Sequence, residues 1–200
     1  MERISYKFSL LFTEQILINF LILMVEKKPC MFILTGISFA GKSTLGREIA
    51  KDAELEMIDL NAVTKEIDLA EQASYISPKQ FAIAHQEAEK KAKEILQKGK
   101  SIVYDATPFT KEKRDQLRQL AASCDAETLL IYVQASITLA FKRWQESKSD
   151  PGRHIVTHID NFMWIVDHFE PPENEEHIIF NAGEDIGKWI KTNIQINTLP

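Results

Sequence analysis

Cysteine is scarce in this chain, since Cys30 and Cys124 are its two cysteines and they do not form a C-x-x-C pair. They fall at the start of a predicted strand and at the end of a predicted helix. We therefore expect buried thiols in a reducing compartment. The histidines offer one spacing typical of metal sites, between His154 and His158, but Ile155 stands where an H-E-x-x-H motif needs glutamate. We predict no metal centre there.

Excess positive charge is also lacking, because 24 Lys and Arg side chains stand against 29 Asp and Glu, for a net charge of −5. A domain that binds nucleic acid broadly carries a basic footprint. We therefore expect no broad nucleic-acid binding, although a local basic groove is compatible with this composition. With 44% hydrophobic and 26% charged residues, the chain is of ordinary globular composition and long enough for one solid core.

Long hydrophobic runs are absent as well. The most apolar stretch, residues 10–25, is interrupted by Glu14, Gln15 and Asn19. It is shorter than the roughly 20 residues that a membrane-spanning helix needs. The charged residues 26–28 and a proline follow it, where a signal peptide would have small residues and a cleavage site. We expect no membrane association.

Residues 1–29 do not fit the pattern of the chain that follows them. We predict that they form an N-terminal extension, either a peripheral helix or an upstream segment with Met24 or Met31 as the natural start. Residues 30–200 are then the functional domain. The intact mass of the protein made from its own promoter distinguishes the two possibilities.

The dominant motif is the octapeptide GISFAGKS at residues 36–43, which matches the phosphate-binding loop pattern G-x-x-x-x-G-K-[ST] in full. The preceding run, residues 30–35, is apolar as in a buried parallel strand, and residues 44–51 have helical spacing of apolar residues. In this context loop amides attract phosphates, Lys42 reaches the β and γ oxygens, and the Ser43 hydroxyl ligates Mg²⁺. The predicted nucleotide-binding residues are Gly36, Ile37, Ser38, Phe39, Ala40, Gly41, Lys42, Ser43 and Thr44.

Two further predicted strands end in a carboxylate. Residues 55–59 form a short strand ending at Asp59, and residues 101–105 form an apolar strand ending at Asp105. In open α/β sheets such strand ends border the ligand crevice. Asp105 has the position of the acid that organises Mg²⁺ in P-loop proteins, and Asp59 and Asn61 are candidate contacts to the phosphoryl acceptor. For Asp59 or Asn61 alone, capping of the next helix is an equally good explanation.

Strands and helices alternate along the rest of the chain. A long amphipathic helix is predicted from Pro78, and residues 127–133 form a fourth apolar strand. The helix opened by Ser136 is predicted to point Ile137 and Trp144 inward. This alternation favours an α/β fold in which a parallel sheet is covered by helices on both faces.

A polar, turn-rich segment, residues 147–152, separates Arg143 from Arg153. Arginines on both sides of such a segment suit a lid that closes over ATP and places positive charge on the transferring phosphoryl group. A surface loop with solvated arginines is the alternative interpretation of the same residues.

Three stretches together resemble a known family: residues 36–43, the segment VYDATPFTKEKR at 103–114, and the stretch from Arg143 to the DHFEPP ending at Pro172. They are similar to small bacterial P-loop kinases of the AAA ATPase type, grouped with polynucleotide 5′-hydroxyl kinases, zeta toxins and chloramphenicol phosphotransferase. The resemblance runs from about Met31 to Phe180. It implies a P-loop NTPase fold with a five-stranded parallel sheet of order 2-3-1-4-5, ATP or GTP with Mg²⁺, and phosphoryl transfer to a hydroxyl.

The resemblance also implies roles for individual residues. Lys42 and Ser43 match the catalytic pair of the loop, and Asp105 matches the metal-site acid. Arg143 and Arg153 match the lid arginines, which stabilise the transition state. The predicted metal ligands are therefore Ser43 and Asp105, the latter through water.

One departure from the family concerns the acceptor. The family has an aspartate shortly after the second strand that accepts the proton of the acceptor hydroxyl, and Asn61 occupies that position here. An amide cannot act as a general base, so Asp59 becomes the candidate base unless the acceptor is already ionised. Because losing a general base costs about 10²–10⁴ in rate, a slow kinase or a nucleotide-binding switch also stays open.

We predict an ATP-dependent kinase that transfers the γ-phosphoryl group to a hydroxyl of a small molecule or a nucleic-acid end. We expect it to be cytoplasmic, because an ATP site has little use outside the cell, and to be a monomer or a homodimer. The alternatives are an ATPase or nucleotide-gated binding module without an acceptor, a nucleoside-phosphate kinase, and a toxin-like kinase acting on a sugar nucleotide.

Overall fold

The computed structural model describes residues 28–67, 78–147 and 158–194. Its strands are β1 (Cys30–Thr35), β2 (Glu56–Asp59), β3 (Ile102–Asp105), β4 (Glu127–Gln134) and β5 (Ile178–Asn181). Its helices are α1 (Lys42–Asp52), α2 (Leu60–Glu66), α3 (Pro78–Leu96), α4 (Lys111–Ala122), α5 (Ile137–Ser147), α6 (Ile159–His168) and α7 (Ile186–Asn193).

The five strands form one parallel sheet in the order β2-β3-β1-β4-β5, which confirms the predicted order. In the register of the sheet, Phe32 of β1 pairs with Val103 of β3 on one side and with Leu129 of β4 on the other. Asp59 and Asp105 pair at the ends of β2 and β3. The central position of β1 places the loop that follows it at the middle of the sheet's carboxyl edge.

Helices cover both faces of the sheet, as predicted. Phe32 and Leu34 of β1 belong to a buried cluster with residues of α1, α5, α6 and α7. Met31 and Ile33, which alternate with them, belong to a second buried cluster with residues of α2, α3 and α4. Because successive side chains of a strand point to opposite faces, one apolar strand supplies both halves of the core.

Polar side chains fix the starts of several helices. The Asp59 carboxylate accepts a hydrogen bond from the Asn61 amide, so Asp59 caps the start of α2. Its contact with an acceptor stays a prediction. Thr110 caps α4 in the same way by accepting from the Lys113 amide.

Two details differ from the sequence predictions. Ile137 is 54% exposed instead of pointing inward, because it is the first residue of α5 and the buried side of that helix begins at Ala140 and continues at Trp144. Cys30 and Cys124 are half-buried rather than fully buried. Burial nevertheless raises the pKa of the Cys30 thiol to about 12, so this thiol stays protonated at neutral pH.

No helix in the described parts of the chain is long and apolar enough to cross a membrane. The apolar stretch at residues 10–25 and the proposed extension 1–29, apart from its last two residues, lie outside the described residues.

Candidate nucleotide and acceptor site

The loop between β1 and α1 adopts a backbone that requires glycine at its ends. Gly36 has φ +142° and Gly41 has φ +115°, a region that favours glycine. A Cβ atom on Gly36 would also lie 2.5 Å from the carbonyl oxygen of Val133 in β4. Between them, Phe39 is held at φ +64°. Since the N-cap of α1, Gly41, has no side chain, the first turn of α1 has no side-chain cap and presents its amides toward the loop.

Lys42 lies buried beneath this loop, with 6% of its surface exposed. Its Nζ donates hydrogen bonds to the carbonyl oxygens of Gly36 and Ile37, each at 2.9 Å. Burial lowers the pKa of Lys42, and the nearby Asp105 carboxylate opposes that shift. The ammonium group is therefore held inside the concavity where a phosphate-binding loop needs positive charge.

Asp105 is the buried acid of the site, with 4% of its surface exposed. Burial raises its pKa, while the Lys42 ammonium and a hydrogen bond with the Ser43 side chain lower it. Its Oδ2 atom is buried and has no hydrogen-bond partner among the described residues. A buried carboxylate oxygen without a partner is costly, so this atom calls for a cation or an ordered water.

These donors fit a magnesium ion. A hydroxyl and a carboxylate stand together at Ser43 and Asp105, and the orphaned Asp105 oxygen provides the anionic contact. The described residues hold no cluster of three or more His, Cys, Asp or Glu that would form a full protein cage. Mg²⁺ is ordinarily bound by one or two protein oxygens together with substrate phosphates and waters, so such a cage is not needed.

Asp59 lies beside Asp105 on the neighbouring strand, and its charge contributes to raising the Asp105 pKa. Its Oδ1 accepts from both the backbone and the side-chain amide of Asn61, at 2.9 and 3.1 Å. Its Oδ2 accepts from Arg47 Nη2 at 3.3 Å. Arg47, which sequence reasoning missed, lies one turn after Ser43 on α1 and also lowers the Asp105 pKa.

Arg143 reaches the phosphate-binding loop from α5, 102 residues after Gly41. Its Nη1 donates to the carbonyl oxygens of Ala40 at 2.7 Å and Phe39 at 3.2 Å. The guanidinium therefore holds the outer backbone of the loop. Arg143 lies in a helix, and Arg153 and residues 148–152 lie outside the described residues, so the arginine lid stays a prediction.

A buried ionic cluster, also missed by sequence reasoning, anchors the segment that follows β3. The Arg114 guanidinium is fully buried, is bound by both oxygens of Glu175, and donates to the carbonyl oxygen of Pro108 at 3.3 Å. Arg118 also belongs to the cluster, with its Nη2 atom 2.7 Å from Glu175 Oε2. Thr35 Oγ1, at the end of β1, also donates to the carbonyl oxygen of Pro108 at 2.8 Å. The chain between Asp105 and α4 is thus fixed from two sides.

The fold brings together the predicted residues that it describes: the loop 36–44, Asp59, Asn61, Asp105 and Arg143 all meet at the carboxyl edge of the sheet. No local signal in the sequence identified Arg47 or Glu175, because their partners are distant in the chain. The arrangement defines a P-loop nucleotide-binding fold.

Comparison with known proteins agrees with this assignment. Residues 31–172 match the model of a family described as an AAA domain. The chain therefore belongs to this family. It is 27% identical over 114 residues to L-seryl-tRNA(Sec) kinase of Methanococcus maripaludis, a match that covers 56% of this chain and 44% of that protein. The chain thus spans less than half the length of that curated relative.

Solved structures share the fold at low sequence identity. The Mycobacterium tuberculosis APS kinase CysC, in complex with AMPPNP and APS, has a TM-score of 0.66 and 14% identity, covering 85% of this chain and 98% of that chain. Kti12 of Chaetomium thermophilum, in complex with ADP-AlF3, has a TM-score of 0.64 and 16% identity, covering 85% and 99%. A gluconokinase from Sinorhizobium meliloti has a TM-score of 0.58 and 15% identity, covering 82% and 89%.

Proposed function

We propose that this protein is an ATP-dependent phosphotransferase that moves the γ-phosphoryl group to a hydroxyl of a small molecule or of a nucleic-acid end. The observation that carries the proposal is the meeting of Lys42, Ser43 and Asp105 beneath one loop, with Asp59 on the adjacent strand end. Phosphoryl transfer needs little covalent chemistry from the protein, so positioning and electrostatics of this kind suffice.

Each side chain has a role in the proposal. The amides of residues 36–44 bind the phosphates, and Lys42 exchanges its two carbonyl partners for β- and γ-phosphate oxygens. Ser43 and Asp105 would hold Mg²⁺, which when bound with the nucleotide neutralises charge on the transferring phosphoryl group. Arg143, and Arg153 in the proposed lid, would add positive charge to the transition state.

The acceptor side rests on Asp59 and Asn61. In the proposal an Asp59 oxygen accepts the proton of the acceptor hydroxyl, and the Asn61 side chain orients that hydroxyl. Three of the similar proteins named above are called kinases, namely an L-seryl-tRNA(Sec) kinase, a gluconokinase and an APS kinase, and the variety of these names supports this breadth of acceptor. ATP is the proposed donor and GTP is an alternative, since the loop contacts are made with phosphates rather than with the base.

A second candidate is favoured by one specific observation. The Asp59 carboxylate is already engaged by Asn61 and Arg47. An acceptor hydroxyl would have to compete with these two partners for the carboxylate, which suits an ATPase or nucleotide-gated binding module without an acceptor. It also suits a nucleoside-phosphate kinase, whose phosphate acceptor needs no base.

The remaining proposals concern the context of the domain. We propose that residues 30–200 act as one kinase domain in the cytoplasm, as a monomer or homodimer, and that residues 1–29 are an extension outside it. The proposed phosphoryl transfer at the ends of β2 and β3 does not depend on the extent of the domain, its location or its oligomeric state.

The testing experiment is an ATP/Mg²⁺ turnover assay on the full chain, without acceptor and with separate pools of nucleosides, nucleotides, 5′-hydroxyl oligonucleotides and small alcohols. Asp59→Asn is assayed beside Asp52→Asn, a matched change on the exposed end of α1. Stimulation by a hydroxyl pool that Asp59→Asn removes and Asp52→Asn retains would support the hydroxyl kinase. Stimulation by nucleotides alone would favour the nucleoside-phosphate kinase, and ATP binding without stimulation by any pool would favour the nucleotide switch.

A further inference from the structure

Thr107, in the segment that follows β3, has a backbone conformation that threonine rarely adopts. Its φ angle is +50°, in the left-handed region. In the described parts of the chain the other residues besides glycine with a positive φ are Phe39, Glu54 and Asp125, none of which is β-branched. Branching at Cβ and the proline that follows both disfavour this conformation. Strain of this kind persists only where the surrounding structure enforces it.

Two buried donors hold the next residue, Pro108, in place. Its carbonyl oxygen accepts a hydrogen bond from Thr35 Oγ1 at 2.8 Å and from Arg114 Nη1 at 3.3 Å. Thr35 and Arg114 are both fully buried, and Thr35 directly precedes Gly36 of the phosphate-binding loop. The bond to Thr35 draws the chain from the end of β3 to the end of β1, its neighbour in the sheet. Thr107 makes this turn and therefore takes up the strain.

The same contacts place Thr107 within the candidate site. It lies between Asp105, the acid of the proposed magnesium site, and Pro108, which is tied to the start of the loop. The sheet order β2-β3-β1 puts the end of β3 between the candidate base Asp59, on β2, and the loop that follows β1. An acceptor whose proton passes to Asp59 would therefore meet the γ-phosphoryl group above the end of β3.

The Thr107 hydroxyl is not used by the fold. It has no hydrogen-bond partner among the described residues, and it is not one of their buried side-chain atoms that lack a partner, so a ligand can reach it. Tyr104 and Ala106 belong to the same buried cluster. The alternation of β3 thus continues to Ala106, and Thr107 follows on the side of Asp105. Valine would have the same branched shape, so packing does not explain the hydroxyl.

We propose that the Thr107 hydroxyl donates a hydrogen bond to an equatorial oxygen of the transferring γ-phosphoryl group, and that the strained backbone keeps the hydroxyl aimed at that oxygen. The proposal rests on the proposed function, because it adds a catalytic contact at the same site. In the transfer, the bond from the γ-phosphorus to the bridging oxygen of ADP breaks as the bond to the acceptor oxygen forms. The acceptor proton passes to Asp59, and the Thr107 proton stays on its own oxygen.

The expected effect of this contact is on the rate of the chemical step. Negative charge in the transition state is spread over the three equatorial oxygens of the phosphoryl group. A donor that already stands in position needs no reorganisation as that charge develops. Because the contact is strongest in the transition state, its loss should lower kcat more than it raises KM.

Turnover assays on the full chain with ATP and Mg²⁺ test the contact, both without acceptor and with the acceptor pool that stimulates the wild type. Thr107→Val keeps the branched shape and removes the hydroxyl, whereas Thr107→Ser keeps the hydroxyl. Thr192→Val, at an exposed threonine of α7, is the matched control. Values of kcat and KM are measured for ATP and for the acceptor.

We expect Thr107→Val to lower kcat about 10-fold to 100-fold in transfer to the acceptor and in hydrolysis without it, because both reactions pass through the same phosphoryl group. KM for ATP should change by less than about twofold. Thr107→Ser should recover most of the lost kcat, and Thr192→Val should have the kcat of the wild type.

Urea unfolding tests the strain separately from turnover. Thr107→Gly should raise the urea midpoint, because glycine adopts a positive φ without strain, and should lower kcat, because the hydroxyl is lost. Glu54→Gly is the matched control, at φ +53° on an exposed residue after α1 that is neither β-branched nor followed by proline. Both variants add the same freedom to the unfolded chain, so Glu54→Gly should raise the midpoint less, and it should leave kcat unchanged.

Three results would overturn the proposal: an unchanged kcat in Thr107→Val, a loss confined to KM for the acceptor, or a lowered urea midpoint in Thr107→Gly. The proposed function fails in a different way. ATP hydrolysis that no acceptor pool stimulates, but that Thr107→Val slows, would reject the kinase and keep the Thr107 contact. Acceptor phosphorylation with equal kcat in wild type and Thr107→Val would keep the kinase and reject the contact, and a wild type without any turnover would reject both.

Discussion

Lys42 and Asp105 are an oppositely charged pair buried together beneath the phosphate-binding loop. Burial shifts both pKa values toward the neutral forms, lowering that of Lys42 and raising that of Asp105, and each group opposes the shift of the other. Two carbonyl oxygens hold the ammonium group, and Ser43 holds the carboxylate. Because both groups are buried, solvent screens the attraction between them only weakly.

Replacement of Lys42 by alanine should abolish turnover, because it removes the positive charge that would contact the β- and γ-phosphate oxygens in a buried site. We expect a loss of about 10³-fold or more in kcat, by comparison with other groups that contact transferring phosphates. Lys51→Ala, in the exposed last turn of the same helix, is the matched control. Far-UV circular dichroism should be unchanged for both variants, and undiminished turnover of Lys42→Ala would refute the assignment.

Replacement of Arg143 by alanine separates a loop-holding role from a catalytic one. Because its Nη1 donates to the carbonyl oxygens of Phe39 and Ala40, losing it should loosen the loop and raise KM for ATP roughly tenfold. Losing the transition-state charge proposed above should lower kcat as well. Lys142→Ala, which changes the exposed neighbour, should affect neither constant. A raised KM at unchanged kcat would leave Arg143 with the loop-holding role alone, and a fall in kcat at unchanged KM would leave it with the transition-state role alone.

Replacement of Gly36 by alanine should prevent formation of the loop. The new Cβ would lie 2.5 Å from the Val133 carbonyl oxygen, and φ of +142° is unfavourable for alanine. We expect loss of nucleotide binding by calorimetry and a destabilisation of about 2 kcal/mol or more in urea unfolding. Gly187→Ala, in α7, has space for the added methyl group and should be neutral or stabilising.

Replacement of Glu175 by glutamine should destabilise the protein at neutral pH. Arg114 would lose its buried counter-charge, a change that typically costs about 3 kcal/mol. Burial alone would raise the pKa of Glu175, but the hydrogen bonds and charges of Arg114 and Arg118 outweigh it and lower the pKa below the ordinary 4.5. The stabilisation is therefore complete above pH 4.5 and is lost as the pH falls through the folded-state pKa.

Urea unfolding at neutral and acidic pH measures this effect. The difference in free energy of unfolding between wild type and Glu175→Gln should be largest at neutral pH and should shrink below pH 4.5. Glu173→Gln, an exposed neighbour, should show no difference at either pH. A pH-independent difference would mean that packing rather than charge explains the destabilisation.

The strands, the caps and the loop were predictable because their signals are contiguous in the chain. The run from Cys30 to Thr35 is apolar throughout, and Thr110 stands directly before the helix that it caps. Ile137 shows the limit of such patterns. The periodicity predicted that its side chain points inward, but the buried side of α5 begins only at Ala140, and Ile137 is exposed. The strand order came from the resemblance to known kinases and not from any local pattern.

The sequence by itself determined the phosphate-binding loop and the acids at the ends of β2 and β3, because backbone conformation there depends on neighbouring residues. Only the tertiary structure decided what those groups contact: Arg47 binds Asp59, Arg143 binds the loop, and Glu175 binds Arg114. These partners come from separate elements, and the sheet order and helix packing bring them together. Local sequence patterns do not predict these contacts between distant residues, because the contacts depend on the packing of the whole domain.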